Sequence, residues 1–538
     1  MKNAIRFFAL LGGTILMLLV LRWTGVLVFS ARQITSIGIF LMFIYGTLLF
    51  GEFRLAFAFG GIALLMGCNL LTLERFTQSA NLDVLIFLIG VFLVIGFLEE
   101  SQFFEHVVSR IVSAVGPRPQ RLLLVLMVMG SISSALVDEV TAILFMAGTM
   151  LHLTSRYKLN PVPFIIMLVF ACNIGSAMSS IGNPIGVLIA LKTGLGFLDF
   201  VRWSAPVALV VNVVTYFICR WWFADAFNGF AEAMHADFAA RAEAKAVARA
   251  RRAPALVAVG AGVSSGDVVG TPSGEGDGSH SDGVLSDSYY SEDAAPTIDG
   301  LTAHNTYRLC WAILLSLILL LVTHRMTEHL LGLREGTMMV GAALAMGGVV
   351  LLLRGGKARE LVERRVDWWT LSFFMMLFAS VGTLQDTGVT DVIAAKLSGG
   401  GRSDMAVIQI IGWATGWLSA FLDNVLAVAT FMPVVHGVRV EAGRPFSSAI
   451  YWMMLFGGTF MGNMTIIGST ANIVACGLLE KRGHGTIKFG YWMKIGFIVS
   501  IASMLVATAL LMLMEHALPN GLPKLPVPAS EVAPSPTH

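Results

Sequence analysis

Charged side chains are scarce in this chain: Asp, Glu, Lys and Arg make up only 13% of its 538 residues, where soluble proteins carry about 25%. The net charge is +2 and the positive residues are spread among loops, so nothing indicates a nucleic-acid partner. The five cysteines stand singly in apolar segments without CxxC spacing, and the eleven histidines show no paired spacing. We therefore expect neither disulfides nor a haem or metal cofactor.

Apolar residues dominate instead, at 56% of the chain, and the mean hydropathy is +0.77. This composition predicts an all-α polytopic membrane protein within a lipid bilayer. Apolar runs near the ~20 residues that cross a bilayer occur at 5–23, 34–50, 55–73, 84–100, 163–194, 203–223, 308–324, 337–353, 369–386, 447–480 and 490–515. The first run lacks a convincing cleavage site, so it is interpreted as a membrane helix and not as a signal peptide.

Two further apolar stretches, 121–152 and 404–436, are too long for one simple crossing and carry polar residues at their centres. We expect each to form a re-entrant hairpin that enters and leaves the membrane on the same side. The chain is thus predicted to have about 11 transmembrane helices plus two re-entrant hairpins. Tryptophans near the ends of the runs, among them Trp203, Trp452 and Trp492, are interpreted as interfacial anchors.

The centres of the two hairpins repeat one motif. Ser134-Ala-Leu-Val-Asp138-Glu-Val140 returns 285 residues later as Ser419-Ala-Phe-Leu-Asp423-Asn-Val425. Further pairs keep the same order and nearly the same spacing: Gly96–Ser101 with Gly382–Thr387, Ile181-Gly182 with Ile467-Gly468, and Phe200–Trp203 with Phe489–Trp492. An odd number of crossings in each half predicts inverted repeats, which in transporters hold binding sites near the membrane midplane.

This repeat divides the chain into five predicted regions. They are an N-terminal transmembrane helix (1–33), a first repeat (34–224), a cytoplasmic and mostly disordered linker (225–306), a second, inverted repeat (307–516) and a disordered tail (517–538). The centre of the linker is rich in Gly, Ser and Asp and cannot bury a core. Lys and Arg are more frequent in the segments that a cytoplasmic N-terminus places inside. We expect a bacterial inner or plasma membrane protein with its C-terminus outside.

Three carboxylates lie within the hairpins: Asp138, Glu139 and Asp423. A charged residue inside a bilayer costs roughly 2.5 to 3.5 kcal/mol on insertion scales, so it is usually retained because it binds or moves something. The simpler interpretation is a carboxylate that caps a helix at the hairpin tip. The two roles are compatible, and Asp138-Glu139 and Asp423-Asn424 are therefore the best candidates for cation or proton binding.

Each hairpin is followed by an apolar run that Gly, Pro and polar residues interrupt. We expect the helix to unwind at Gly175, Gly182, Pro184, Gly186, Gly462 and Gly468. Close helix packing would explain the glycines, but not the asparagines that recur beside both breaks. The predicted ion- or substrate-binding residues are Ser134, Asp138, Glu139, Asn173, Ser179, Asn183, Ser419, Asp423, Asn424, Asn463, Thr465, Ser469 and Asn472. A sodium site is predicted near Asp138, Asn173, Asp423 and Asn472.

The paired hairpin motifs, the segment from Asn173-Ile-Gly to Ile-Gly-Asn-Pro184, and Ile-Gly-Ser-Thr-Ala-Asn472 resemble the ion transporter superfamily. That superfamily includes citrate-transporter-like permeases, arsenite permeases, sodium/proton antiporters and divalent-anion/sodium symporters, and the likeness covers about 34–222 and 308–515. The resemblance implies a homodimer whose protomers each combine a scaffold domain with a mobile transport domain in an elevator-like motion. Asp138-Glu139-Val140 and Asp423-Asn424-Val425 stand where the divalent-anion symporters carry Ser-Asn-Thr. The Asp-Asn form is more similar to the arsenite-permease and sodium/proton-antiporter branches, in which Glu139 is unusual because Asn is expected at its position.

The sequence therefore predicts a secondary active transporter, not an enzyme, that uses sodium or protons as the coupling ion. Carboxylates without an obvious buried Arg or Lys partner favour a cation as at least one bound species, and sodium/proton antiport ranks first. Cation-coupled transport of a small anion such as citrate or arsenite is the second hypothesis. An intramembrane aspartyl protease and a channel are the alternatives from other classes, although the aspartates lack the Tyr-Asp and Gly-x-Gly-Asp contexts of the protease.

Overall fold

The helices of the protein begin and end close to the limits of the apolar runs. A computed structural model describes residues 2–24, 29–115, 118–240, 243, 302–399, 402–442 and 446–518, and no β-strand occurs in these ranges. The helices of the first part are α1 Lys2–Trp23, α2 Ala31–Leu49, α3 Arg54–Gly67, α4 Leu73–Ser79, α5 Leu82–Glu100, α6 Phe103–Val115, α7 Pro119–Leu136, α8 Glu139–Arg156, α9 Val162–Gly175, α10 Pro184–Thr193 and α11 Ala205–Trp222, followed by α12 at 224–240. Those of the second part are α13 Ala303–Leu331, α14 Thr337–Arg354, α15 Ala358–Arg365, α16 Trp368–Asp386, α17 Val389–Ser398, α18 Asp404–Phe421, α19 Asn424–Ala442, α20 Ala449–Phe460, α21 Thr470–Lys481 and α22 Phe489–Met514.

Many of these helices have the length and apolar character of membrane spans. Within the described ranges, seven helical stretches qualify by length and composition: Ala31–Leu49, Leu82–Glu100, Pro119–Leu136, Phe197–Trp222, His304–Leu331, Thr337–Arg365 and Phe489–Ala517. Shorter apolar helices occur at Ala4–Val20, Arg54–Gly67, Val162–Met178, Pro184–Thr193 and Asn424–Arg439. The chain is thus an all-α polytopic membrane protein, and the total of about 11 crossings stays a prediction.

The order of helices in α2–α11 recurs in α13–α22. Each series contains a hairpin of two helices (α7–α8 and α18–α19) and then two short helices separated by a break (α9–α10 and α20–α21). The two series pack against each other: α5 of the first packs on α14 of the second, and α16 of the second packs on α3 of the first. At Gly90 of α5 a Cβ would lie 2.6 Å from the carbonyl carbon of Ala343 in α14, so only glycine permits this close approach. That the second series is inverted relative to the first remains a prediction.

The hairpin tips are short because an aspartate caps the second helix of each. Asp138 Oδ1 accepts hydrogen bonds from the backbone N–H of Val140 at 2.7 Å and of Thr141 at 2.8 Å. In the second hairpin Asp423 Oδ1 accepts from Val425 N–H at 3.0 Å. A side-chain oxygen at this position satisfies donors that the first turn leaves without a partner. The caps make Glu139 and Asn424 the first residues of α8 and α19.

The two broken segments lie in the interior of the protein. All residues of α20 are buried, as are those of α9 from Pro163 onward, which is typical of helices that are apolar on every face. The first segment passes from α9 through a 3₁₀ turn to extended Ser179 before α10 begins at Pro184. In the second segment, Thr465 is extended between two 3₁₀ turns.

Asparagine and serine side chains define where the helices after the breaks begin. Asn183 Oδ1 accepts from Gly186 N–H at 2.7 Å and caps α10, while Ser469 Oγ accepts from Ala471 N–H at 3.2 Å and caps α21. Pro184 is the first residue of α10, where its missing N–H is no loss. Gly186 lies within the first turn of α10 and not in the break itself.

The interpretation of three tryptophans as interfacial anchors is wrong. Trp452 and Trp492 are fully buried and Trp203 is 9% exposed. Trp492 Nε1 donates a hydrogen bond of 3.0 Å to the backbone carbonyl of Asn463 in the second break. An indole that finds a buried acceptor does not need the membrane surface, so position near the end of an apolar run was not sufficient to assign its role.

The predicted linker begins with ordered helix. Phe227, Phe230 and Met234 of α12 are buried, with Phe230 against the rings of Phe164 and Tyr157. Most of the predicted disordered linker, at 241–242 and 244–301, and the predicted tail beyond 518 lie outside the described residues.

Candidate functional site

A buried carboxylate joins the two hairpins. Glu139 is only 4% exposed, and Asn424 Nδ2 from the second tip donates to its Oε1 at 2.9 Å. Ser469 Oγ lies 3.2 Å from the same oxygen. Ser176 Oγ, in the first break, donates to Oε2 at 2.9 Å. Both tips and both breaks therefore converge on one side chain, and the two tips are in direct contact.

Asn173 links the first break to the second. Its Nδ2 donates to Asn463 Oδ1 at 2.7 Å and to Asn472 Oδ1 at 2.8 Å. Its Oδ1 accepts from Ser469 Oγ at 3.1 Å. Because the carboxylate of Glu139 also contacts Ser469, the amide network and the carboxylate form one continuous cluster, which we call the central cluster (Glu139, Asn173, Ser176, Asn424, Asn463, Ser469 and Asn472).

Other predicted site residues hold the unwound backbone in place. Asn472 Nδ2 donates to the carbonyls of Gly462 at 2.9 Å and Thr465 at 2.7 Å. Thr465 Oγ1 donates to Ala420 O at 2.5 Å, and Ser179 Oγ makes the corresponding bond to Ala135 O in the first half. Ser419 Oγ donates to Gly458 O at 2.6 Å. These bonds satisfy polar groups that would otherwise be buried without a partner.

The charge of this region is uncompensated. In the described part of the chain, no lysine or arginine is hydrogen-bonded to, or ion-paired with, Asp138, Glu139 or Asp423. The ion pairs that the structure contains lie elsewhere, such as Arg365–Glu99 at 3.0 Å and Arg354–Glu100 at 2.5 Å. Hydroxyl and amide donors partly stabilise a buried carboxylate, but the remaining desolvation cost favours a bound cation or proton.

Two hydroxyls, one in α7 of the first hairpin and one in the first break, have no hydrogen-bond partner among the described residues. Ser134 Oγ and Ser180 Oγ are buried and unsatisfied. The backbone carbonyl of Ser134 lies 3.0 Å from where a Cβ on Gly182 would be, so α7 approaches the first break closely. Hydroxyl and carbonyl oxygens are ligands of hard cations. The described residues contain no group of three or more His, Cys, Asp or Glu side chains suited to a metal ion.

Comparison with known proteins assigns the chain to a family. Residues 40–457, well over half of the chain, match the model of the citrate transporter family, CitMHS. The chain belongs to the citrate transporter family. This finding confirms the predicted resemblance to the ion transporter superfamily, and membership of a transporter family agrees with the expectation of a protein that is not an enzyme.

Relatives of this citrate transporter family member span a wide range of organisms. It is 26% identical over 440 residues to uncharacterized transporters of Mycobacterium bovis and Mycobacterium tuberculosis, with 81% of this chain and 87% of each relative covered. It is 23% identical over 467 residues to the P protein of Homo sapiens, with 82% of this chain and 54% of that protein covered. The crystal structure of the YdaH transporter of Alcanivorax borkumensis shares its fold, with a TM-score of 0.52, 14% identity, and coverage of 90% of this chain and 98% of that one.

Sequence reasoning about this transporter missed Ser176, Ser180 and Thr470. Ser176 contacts Glu139 and also accepts from Asn183 Nδ2 at 2.7 Å, which connects Asn183 to the central cluster. Its position three residues after Asn173 was the available signal, since such neighbours share a helical face. Thr470 Oγ1 donates to Asp423 Oδ2 at 3.3 Å. Asp138 caps α8 through the backbone N–H groups of Val140 and Thr141. Among the described residues, Ser134, Ser179, Ser419 and Thr465 do not bond to Glu139.

The described structure also contains a cavity of about 800 Å³ that is separate from the central cluster. Its lining includes Asp83 of α5, Gln385 of α16, Lys192 of α10 and Tyr451 of α20. Lys192 Nζ lies 3.4 Å from Asp83 Oδ2 across this space. None of the residues of the central cluster lines the cavity, so α10 connects the two, with Asn183 before its first residue and Lys192 near its end.

Proposed function

We propose that this protein is a cation-coupled secondary transporter of a small carboxylate anion such as citrate, with sodium or protons as the coupling ion. The observation that carries the proposal is the meeting of both hairpin tips and both helix breaks at Glu139. A polar cluster enclosed by apolar helices at the junction of two repeated halves is where transporters bind their solutes.

The carboxylates of the two hairpins support a cation as the coupling ion. Asp138, Glu139 and Asp423 have no basic partner in the described residues, and the same described residues leave the buried hydroxyls of Ser134 and Ser180 without a hydrogen-bond partner. A cation that binds here offsets negative charge that is costly to bury. A trianionic solute entering alone would add to that charge, so it has to arrive with cations or protons.

Two observations support an anion as the transported solute: the amide and hydroxyl donors of the central cluster, and the family to which the chain belongs. Asn424, Ser176 and Ser469 present donors to one point, and the family is described as citrate transporters. Sodium/proton antiport is the second candidate, and the lack of a basic side chain at the cluster favours it. We propose that the elevator-like motion, the homodimer, the bacterial inner membrane and the cytoplasmic N-terminus predicted from the sequence also apply.

Transport by proteoliposomes tests this function. We expect radiolabelled citrate to accumulate when a sodium or proton gradient is imposed, and Asp423→Asn to reduce the initial rate about tenfold or more, since a cation ligand is lost. Glu363→Gln changes an exposed carboxylate of α15 and serves as the matched control with unchanged rate. An internal pH dye monitors the same vesicles.

Different outcomes would reject the proposal. Proton movement on addition of sodium, with no citrate uptake under any gradient, would establish the antiporter in its place. Passive citrate conductance that needs no gradient coupling would indicate a channel.

A further inference from the structure

We propose that Glu139 is a tethered substitute for the solute carboxylate: it occupies a donor cradle formed by Ser176 Oγ, Asn424 Nδ2 and Ser469 Oγ, and a transported anion binds by displacing it. This inference rests on the proposed function, because it names the part of the solute that the site recognises. It also assigns to Glu139 a role that differs from that of a permanent cation ligand.

The donor cradle has the composition of a carboxylate-binding site. Asn424 Nδ2 donates to Oε1 at 2.9 Å and Ser176 Oγ donates to Oε2 at 2.9 Å. Ser469 Oγ is the third donor within reach, and its single proton is directed either at Oε1, at 3.2 Å, or at Asn173 Oδ1, at 3.1 Å. All three side chains are buried, at 4% exposure or less, and come from three separate elements: the first break, the second tip and the cap of α21. Donors from several elements that point at the two oxygens of one carboxylate can bind a carboxylate without a basic side chain.

Asn183 keeps one of these donors directed at the cradle. Its Nδ2 donates to Ser176 Oγ at 2.7 Å, so the hydroxyl has to direct its own proton elsewhere. Glu139 Oε2 at 2.9 Å and the carbonyl of Asn173 at 2.9 Å are the acceptors within reach. Asn183 is therefore a positioning residue, because it acts on the solute only through Ser176.

The duplication shows why Glu139 is unusual. The position 285 residues later holds Asn424, which is neutral, and the two side chains bond to each other. A glutamine at position 139 would fill the same space without burying a charge. The carboxylate is instead kept where all of its hydrogen-bond donors are neutral, so the cradle can hold either Glu139 or one carboxylate of a solute, but not both.

Displacement explains how an anion and a cation become coupled. When a solute carboxylate takes the donor cradle, the Glu139 carboxylate loses its donors and lies among like charges of Asp138 and Asp423. Like charges in a weakly polar interior repel strongly. A cation that arrives with the solute pairs with the displaced Glu139 and removes the repulsion. Anion and cation thus enter together, with no covalent step and no change in redox state.

Thermal unfolding of the purified full-length protein in detergent, at fixed pH, tests the donor cradle. Acetate is the probe, because it is a carboxylate small enough to replace the lost side-chain group. We expect acetate to raise the melting temperature of Glu139→Ala in a saturable manner and to leave wild type unchanged. In Glu139→Gln a neutral side chain still fills the cradle, so acetate should not act. Glu328→Ala removes another buried glutamate, one that caps Met338 N–H outside the cluster, and is the matched control without an acetate effect.

Citrate binding to the same proteins, measured by calorimetry with sodium or choline, provides the second readout. We expect Glu139→Ala to bind citrate about tenfold tighter than wild type, with the sodium dependence lost and with acetate as a competitor. Loss of citrate binding in Glu139→Ala, with wild type still binding, would overturn the proposal, because Glu139 would then be a required ligand. Unchanged affinity and unchanged sodium dependence would overturn it as well.

The two readouts separate this inference from the proposed function. Acetate stabilisation of Glu139→Ala without citrate binding by any variant would support the donor cradle and reject citrate as the solute. Citrate uptake by wild type without any acetate effect on Glu139→Ala would reject the donor cradle and leave the transport function standing. An equal rise of the melting temperature with acetate in Glu328→Ala would also reject the donor cradle, because the stabilisation would then not depend on removing the Glu139 carboxylate.

Discussion

Single hydrogen-bonding side chains hold the two broken segments together, and Asn173 is the clearest case. Its amide donates to two asparagines of the other half and accepts from Ser469. A buried polar group that loses its partner costs about 1–3 kcal/mol. The stability of the central cluster therefore depends on complete pairing, and one truncation leaves several groups unsatisfied at once.

We expect Asn173→Ala to lower the melting temperature of the purified protein and to abolish most citrate uptake. The substitution leaves Asn463 Oδ1 and Asn472 Oδ1 without a donor, at a cost of about 2–6 kcal/mol if each buried group contributes separately. Asn228→Ala is the matched control, because Asn228 is exposed on α12 and exposed changes stay within about 0.5 kcal/mol. A melting temperature equal to that of the control would show that the network does not stabilise the breaks.

Thr465→Val tests the bond between the second break and its hairpin. Valine has nearly the shape of threonine but no hydroxyl, so Ala420 O loses a donor that lies at 2.5 Å. We expect a stability loss of about 1 kcal/mol, measured by thermal unfolding. Thr35→Val removes an exposed hydroxyl that donates to Ala31 O within α2 and should have little effect. Equal melting temperatures for the two variants would contradict the expectation.

At the scale of helices, the glycines of the first break permit contacts that no other residue allows. A Cβ on Gly182 would overlap the carbonyl of Ser176, and one on Gly175 would overlap the backbone of Ser131. Gly148 of α8, in contrast, has nothing within 4 Å of its would-be Cβ. A glycine-to-alanine substitution should therefore lower the stability of the protein at Gly175 and raise it at Gly148.

We expect Gly175→Ala to destabilise the protein by about 1–3 kcal/mol through overpacking and to reduce transport. Gly148→Ala should instead stabilise it by about 0.5–1 kcal/mol, since alanine restricts the unfolded chain and favours helix. Melting temperature and citrate uptake measured side by side compare the two. Equal changes in melting temperature and uptake for the two variants would mean that the contact between α7 and α9 leaves room for a methyl group at Gly175.

The sequence predicted the positions of the helices and their breaks better than the long-range contacts between them. Apolar runs, aspartates at the hairpin centres and the Gly-Pro interruptions located the helices and their breaks, because these features act locally. That the Glu139 carboxylate meets Ser469, 330 residues away, depends on how the two halves pack, and no local pattern encodes it. Trp492 shows the same limit: its place near the end of an apolar run indicated the membrane surface, but packing of α22 on the second break buries it.

At the scale of the whole molecule, the cavity lined by α5 and α10 is where we expect the proposed elevator-like motion to change the distance between helices. α5 packs on α14, whereas α10 extends from the central cluster. Lys192 and Asp83 reach across the cavity between them. This pair is partly exposed, so it contributes little stability by itself and is suited to opening during a transport cycle.

Cross-linking across this cavity tests whether transport requires such motion. With the native cysteines replaced, Asp83→Cys and Lys192→Cys provide two thiols on facing helices, and a short bifunctional thiol reagent joins them. If α10 has to move relative to α5 with the solute, the cross-link stops citrate uptake, and a reductively cleavable reagent restores it on reduction. The matched control is Arg359→Cys with Glu363→Cys, one turn apart on α15, where a cross-link spans no boundary and uptake should persist. Full uptake by protein cross-linked between α5 and α10 would mean that the solute crosses without displacement of one unit past the other, which would contradict the elevator-like cycle.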